Sequence, residues 1–249
     1  MSGTVAHIWR HPIKSHGREE LSTIELLEGQ TMPWDRTWAV AHTKAKADGA
    51  DWSPCANFSR VAQVPALQAI TSKLNTTGNR ITLTHPDRPP LTFDPDNQAR
   101  EFLDWVRPLM PKNRPQSDRI IRVASRGMTD TDFPSISLNN LASNQAVSDQ
   151  LGTDISTLRW RGNIWMDGLN AWEEFDWVGK RISIGNVEIT VRERIGRCLA
   201  TAADPQTGNR DADTLGALMA GWGHTDFGVY GVVAKSGNIS IGDQIRVLS

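Results

Sequence analysis

Residues 181–191 read RISIGNVEITV, and the architecture is decided there. Ile182 and Ile184 alternate with Arg181 and Ser183, Gly185-Asn186 interrupts, and Val187, Ile189 and Val191 resume the alternation. Period-two patterning on both sides of a Gly-Asn pair reads as two antiparallel strands joined by a tight turn. The last segment repeats the device, and Ile239, Ile241, Gly242-Asp243, Ile245 and Val247 predict a second hairpin. Shorter β-favouring runs cover Thr4 to Trp9, Thr37 to Ala41 and Ile81 to Thr84, the last closed by Pro86. Strands this short and this frequent predict barrels or sandwiches rather than a Rossmann sheet.

Helices are fewer. Gln98 to Arg107 carries Phe102, Leu103 and Val106 on one face and stops before Pro108. Ser137 is the expected N-cap of a helix running through Leu141, Ala142, Ala146 and Val147 to Leu151, with Gly152 as its stop. A shorter helix is expected over Asp213 to Ala220, with Gly221 behind it. Pro108, Pro111 and Pro115 mark residues 108–116 as a linker. The fold class expected is β-rich α+β, in two parts.

The chain has 249 residues, 39% apolar and 22% charged, the profile of an ordinary globular protein with a sizeable core. No apolar run reaches membrane-spanning length, and residues 1–14 lack the pattern of a secretion signal, so a cytoplasmic location is expected. A formal net charge of −1 with mixed signs gives no reason to expect nucleic acid. Cys55 and Cys198 are the only cysteines, too few for a disulfide framework or a structural zinc site. A cysteine doing chemistry here acts as a single thiolate; the plain alternative is a small buried hydrophobe.

Four clusters carry candidate chemistry. Arg197 to Asp211 follows the first hairpin directly and sets a cation beside Cys198; its Asp204-Pro205-Gln206-Thr207-Gly208 is a turn signal in itself. Alone, it is equally a turn beside a packed cysteine. His11-Pro12-Ile13-Lys14-Ser15-His16-Gly17 follows the first strand, and Lys14 and Ser15 could donate to an anion or lie solvated. Arg159-Trp160-Arg161-Gly162-Asn163, read as a strand, points two guanidiniums to one side, where an anion would be needed if they are buried. Arg36, in Asp35-Arg36-Thr37-Trp38, could pair with Asp35. His7 and His11 flank Trp9 with no third ligand in view, which favours packing over a metal site. No GxSxG, Gly-rich dinucleotide loop, GxxxxGK or HExxH is present.

In this order the clusters resemble the MOSC family, the molybdenum cofactor sulfurase C-terminal fold. The resemblance is to its two-part members with an N-terminal β-barrel, which include the mitochondrial amidoxime-reducing component. Its aromatic-Pro-(Ile/Val)-Lys-Ser loop stands as His11 to Ser15, its Asp-Arg stretch as Asp35 to Trp38, and its Arg-Phe-Arg-x-Asn segment as Arg159 to Asn163. The loop Arg-Cys-x-x-Thr-x-x-Asp-Pro-x-Thr-Gly is matched by Arg197 to Gly208 at every fixed position, and Phe227-Gly228-Val229-Tyr230 resembles a Phe-Gly-x-Tyr segment. His11 departs from the usual aromatic and Gly162 from a common proline, while Lys44 to Asn57 has no counterpart and is expected to form a local loop.

The resemblance implies a MOSC β-barrel over residues 113–249 with a smaller N-terminal β-barrel portion over residues 1–112 packed against it. It implies the molybdenum cofactor, with Cys198 as the metal ligand and catalytic centre. Lys14, Ser15, Arg36, Arg60, Ser135, Ser137, Arg161, Asn163 and Tyr230 would hold the pterin and its phosphate. The implied activity is reduction of N-hydroxylated or N-oxide small molecules by oxygen-atom transfer. Some relatives carry an iron–sulfur domain, for which this sequence has no cysteines, so electrons are expected from a separate ferredoxin, flavodoxin or cytochrome b5 type protein. A molybdenum cofactor or sulfur carrier working through a Cys198 persulfide is the second reading.

Overall fold

The computed structural model describes residues 3–77 and 79–248. Strands β1 (Gly3–Arg10), β2 (Glu19–Leu21), β3 (Thr23–Leu26) and β4 (Trp38–His42) come first, then a meander of β5 (Thr71–Asn75), β6 (Arg80–His85) and β7 (Arg88–Phe93). Helix α1 (Ala99–Val106) and β8 (Ser117–Arg122) follow. Further along lie β9 (Ile136–Asn140), α2 (Leu141–Leu151), β10 (Ile164–Asp167), β11 (Arg181–Ile184), β12 (Val187–Gly196) and α3 (Thr214–Trp222). The chain finishes with β13 (Asp226–Lys235), β14 (Gly237–Ser240) and β15 (Gln244–Val247).

The hairpin read from residues 181–191 forms as expected, with Ile182 opposite Ile189 and Ile184 opposite Val187. It is one part of a seven-stranded barrel in the order β10-β9-β13-β12-β11-β15-β1, closed by pairing of β1 with β10, while β2 hangs on β1. All neighbours run antiparallel except β9 and β10. Closure removes free edges, and the alternating residues of the pattern fill the interior. Ile182, Ile184, Val187, Ile189 and Val191 join Val5, Ile8, Leu138, Ile164 and Val229 in one core. Each such side chain contributes roughly 2 kcal/mol on burial.

A second core lies under the β5–β7 meander. Phe102 and Val106, on the face expected of α1, are fully buried with Ile81, Leu83 and Phe93, and the Phe93 and Phe102 rings stack at 5.3 Å. After the proline-rich segment, β8 pairs with β4, so the chain returns to the ribbon that carries Trp38 and Val40. Helices α2 and α3 pack together outside the barrel around Trp160, Trp165 and Phe227.

Three local expectations are corrected. Ser137 does not cap α2: it lies inside β9, and Asn140 is the N-cap, its side chain accepting from the Ala142 amide at 3.0 Å. Gly152, in the left-handed region at φ 69°, ends the helix as expected. Residues 239–247 do not form a hairpin, because β14 pairs with β3 whereas β15 fills the slot between β1 and β11 that completes the barrel. Helix α3 runs through Gly221 to Trp222; the Asp213 side chain starts it, and Gly223, at φ 73°, stops it.

Asn140 has a second duty. Its Nδ2 donates to the Glu174 carboxylate at 2.9 Å and to the Asn170 carbonyl at 2.7 Å, and Glu174 is fully buried. Burial pushes the Glu174 carboxyl above its ordinary range. Replacing Asn140 by alanine removes a cap and strips a buried carboxyl of a donor, so a stability loss of about 3 kcal/mol is expected. Urea unfolding reads it, and a loss below about 1 kcal/mol would mean that capping alone is at stake.

Candidate functional site

Loops from several elements converge on one cavity of about 400 Å³. The turn after β1 supplies Lys14 and Ser15, the approach to β4 supplies Arg36, and the segment after it supplies Cys55 and Arg60. From the barrel come Ser137 on β9, Glu193 and Arg194 on β12, and Tyr230 on β13, with Arg197 and Cys198 just beyond β12. Seven cationic side chains line the cavity against two acidic ones. What distinguishes the cations is which of them already has a counter-ion.

Lys14 has one. It is buried, donates from Nζ to the Met128 carbonyl at 2.7 Å, and forms an ion pair with Asp130, whose side chain is open to solvent on one side. Enclosure pushes the Asp130 carboxyl up, but Lys14 and Arg36 outweigh that and hold it down to about 2. Arg36 pairs with Asp35, which is wholly buried and also accepts from the His11 amide at 2.7 Å. Burial raises the Asp35 carboxyl, yet Arg36 and the bonds from His11 bring it below the usual carboxylate range. Burial, with Arg161 and Arg36 nearby, drops His11 to about 3, so this imidazole is neutral. His7, on the strand, faces Glu20 instead.

Among the described residues Arg161 forms no ion pair with a carboxylate. Its guanidinium donates to the Gly17 carbonyl at 3.1 Å and to Gln68 Oε1 at 3.4 Å, and burial together with Arg36 and Arg18 lowers it to about 9. This residue departs from the strand reading. Thr157–Trp160 is a 3-10 turn begun by the Ser156 side chain, and Arg161 turns the chain at φ 51°. Trp160 stacks on Phe227 at 3.8 Å, which fixes the turn. The two arginines therefore diverge: Arg159 pairs with Asp211 at 2.7 Å and with Asp204 at 3.4 Å, bracing the cysteine loop, while Arg161 points toward the Gly17 side.

Cys198 is exposed and opens a short 3-10 turn, Leu199–Ala202, with the Thr201 amide donating to its carbonyl at 3.2 Å. Its neighbour Arg197 is spent on structure, donating to the carbonyls of Trp160 and Phe227, each at 2.8 Å, and to Asn139 Oδ1 at 2.9 Å. Tyr230 is held above the ordinary tyrosine range by burial and then by Asp130, so its phenol is a neutral donor. Arg60 donates to Cys55 Sγ at 3.2 Å, and among the described residues its buried Nε has no acceptor.

Of the residues expected at the site, Lys14, Ser15, Arg36, Arg60, Ser137, Arg161, Cys198 and Tyr230 line the cavity. Asn163 and Ser135 do not. Asn163 is buried behind the wall, where its Oδ1 accepts from Ser137 Oγ at 2.9 Å and its Nδ2 donates to the Trp9 carbonyl at 3.2 Å. Ser135 accepts from Thr131 Oγ1 at 2.7 Å, one step removed from the lining. Asp130, Glu193, Arg194 and Cys55 were not expected there. Cys55 falls in the local loop expected over residues 44–57, and nothing in the sequence links that loop to Cys198.

A family model described as MOSC domain matches residues 129–246, and one described as MOSC N-terminal beta barrel domain matches residues 2–106. The chain belongs to the MOSC family. Both parts are present in order, so it is a two-part member of that family. Solved structures similar to it include the YUAD protein from Bacillus subtilis, at 13% identity and TM-score 0.49, covering 99% of this chain and 96% of that one. YiiM from Geobacillus stearothermophilus is 17% identical with TM-score 0.36, covering 46% of this chain and 54% of that one. YiiM from Escherichia coli is 15% identical with TM-score 0.32, over 46% and 54% of the two chains. No curated protein matches the sequence.

Proposed function

We propose that the cavity holds a molybdenum cofactor with Cys198 as the protein's thiolate ligand, and that the chain reduces small N-hydroxylated or N-oxide compounds. The observation that carries this reading is Arg161: a guanidinium enclosed beside Arg36 and Arg18 that, among the described residues, is paired with no carboxylate. A cation cluster taken out of water needs an anion; a pterin phosphate would supply one, and the exposed thiol of Cys198 lines the same cavity. Among the described residues no three His, Cys, Asp or Glu side chains are grouped as metal ligands. A metal here needs its other ligands from a cofactor, and a soft thiolate suits molybdenum.

In this reading Arg161, Arg36 and Lys14 hold the phosphate by charge-assisted hydrogen bonds, with Ser15, Ser137 and Arg60 along the pterin. Asp35 and Asp130 fix the directions of Arg36 and Lys14. Asn163 holds Ser137 in place from behind, and Ser135 supports Thr131. Tyr230, kept neutral, offers a hydrogen-bond donor in the cavity that the thiol also lines. When bound, the cofactor supplies the oxygen-atom transfer and the two-electron change. The electrons come from a separate electron-transfer protein. Among the described residues no helix is long and apolar enough to cross a membrane, and a reducing cytoplasm that keeps both thiols free fits the reading.

Metal analysis of protein made in a cofactor-competent host tests it. Wild type should carry near-stoichiometric molybdenum and pterin, and Arg161→Gln should lower both by about tenfold or more. Wild type lacking both and carrying sulfane sulfur on Cys198 would replace this reading with the persulfide carrier.

A further inference from the structure

A second cavity, an open cleft of about 620 Å³, lies where residues 170–176 meet the end of α3 and share Arg194 with the first cavity. Its wall is aromatic. The ring of Trp172 is 4.6 Å from Trp222 and 5.4 Å from Phe175, with His224 edge-on at 6.0 Å. Several unrelated devices hold this wall. Trp172 takes a left-handed backbone at φ 68°, which costs a bulky residue about 1–2 kcal/mol. The strain persists because the Trp172 amide donates to Ser143 Oγ at 2.8 Å, and that hydroxyl donates to the buried Glu174 carboxylate at 2.9 Å. Such over-determined strain is more common at ligand clamps than in plain packing.

Among the described residues Arg194 is the arginine of the cleft. Its guanidinium stacks over Phe175 at 4.3 Å, and among the described residues it makes no hydrogen bond or ion pair. Stacking on an aromatic face orders the side chain while leaving its fork of donors free. Two acids also line the cleft. Glu173 accepts from the Asn170 amide at 3.1 Å and Asp176 is exposed, so one cation faces two acidic side chains and the cleft disfavours multiply charged anions.

We propose that this cleft is a binding subsite for a planar aromatic monocarboxylate. The ring packs on Trp172 and Trp222, and the carboxylate takes a bidentate pair from Arg194 where it rests on Phe175. Binding there does not require the molybdenum reading. Only the use of the cleft to anchor one end of a substrate, across Arg194 from Cys198, rests on it.

The test is a titration of indole-labelled protein with 2-naphthoate, followed by the Trp172 and Trp222 side-chain NMR signals, assigned with Trp172→Phe and Trp222→Phe. Both signals should shift saturably. The neutral 2-naphthalenemethanol should bind wild type about tenfold more weakly, and Arg194→Gln should weaken naphthoate by a similar factor. No shift at millimolar naphthoate, or equal affinity for acid and alcohol, would overturn the proposal. Since that comparison uses wild type alone, a misfolded variant cannot decide it. Molybdenum content measured on the same samples reports separately on the cofactor.

Discussion

Turnover should fall by about a thousandfold or more in Cys198→Ala, measured as reduction of an N-hydroxylated amidine with a chemical electron donor. The same variant should unfold within about 0.5 kcal/mol of wild type. The separation is expected because Cys198 is exposed and, among the described residues, only its backbone carbonyl is bonded, to Thr201. Arg197 would stay where it is, since its donors go to Trp160, Phe227 and Asn139 rather than to the thiol. A variant that keeps wild-type turnover would remove the thiolate from the proposed mechanism. One that unfolds would mean that the cysteine loop depends on its side chain for stability.

Gly228→Ala should have the largest effect on stability, about 3 kcal/mol or more, seen as a fall in Tm of about 10 °C. Gly228 is at φ 72° within β13, where an L side chain is strained. An added Cβ would also lie 2.6 Å from Asn139 Oδ1 and 2.7 Å from the Leu138 carbonyl. Backbone cannot give way cheaply in a closed barrel, and Asn139 is the group that accepts from Arg197. The damage should therefore reach the cysteine loop as well as the fold, and molybdenum content should fall with Tm. An unchanged Tm would show that β13 can move away from β9 at that point.

The barrel was legible because its strands announce themselves locally. Ile182 to Val191 contains both strands and the turn, so no distant residue has to be known. Residues 239–247 carry the same local pattern, but β14 pairs with β3 and β15 with β1 and β11, all distant in sequence, and closure overrides the turn. Ser137 was misread for a related reason. Serine is a good cap in isolation, yet its amide and hydroxyl are claimed by Asn163, and Asn140 takes the cap.

At the site, Lys14 in its loop, Arg36 beside Asp35 and Arg161 in a segment that reads as a strand stand out as cations, but the long-range pairing does not. Asp35 is next to its partner and was readable. Asp130 is 116 residues from Lys14 and carries no local mark. The divergence of Arg159 from Arg161 depends on a left-handed residue that sequence alone does not reveal at an arginine. Arg194 alternates like any exposed strand residue, and its place between two cavities is a property of how residues 170–176 pack.

The pairing of Gly3 with Ile245 and of Val5 with Met166 has a bearing on biogenesis. During synthesis the first strand emerges long before either of its barrel partners exists. Only Ile8 to Arg10 can pair early, with β2; the rest of the strand's apolar face and backbone donors waits until β10 and then β15 leave the ribosome. Folding of the barrel is therefore post-translational in character and slow for the size of the chain, since non-local pairing carries a large loop-closure cost. In that interval the nascent first strand is the segment with most need of a chaperone.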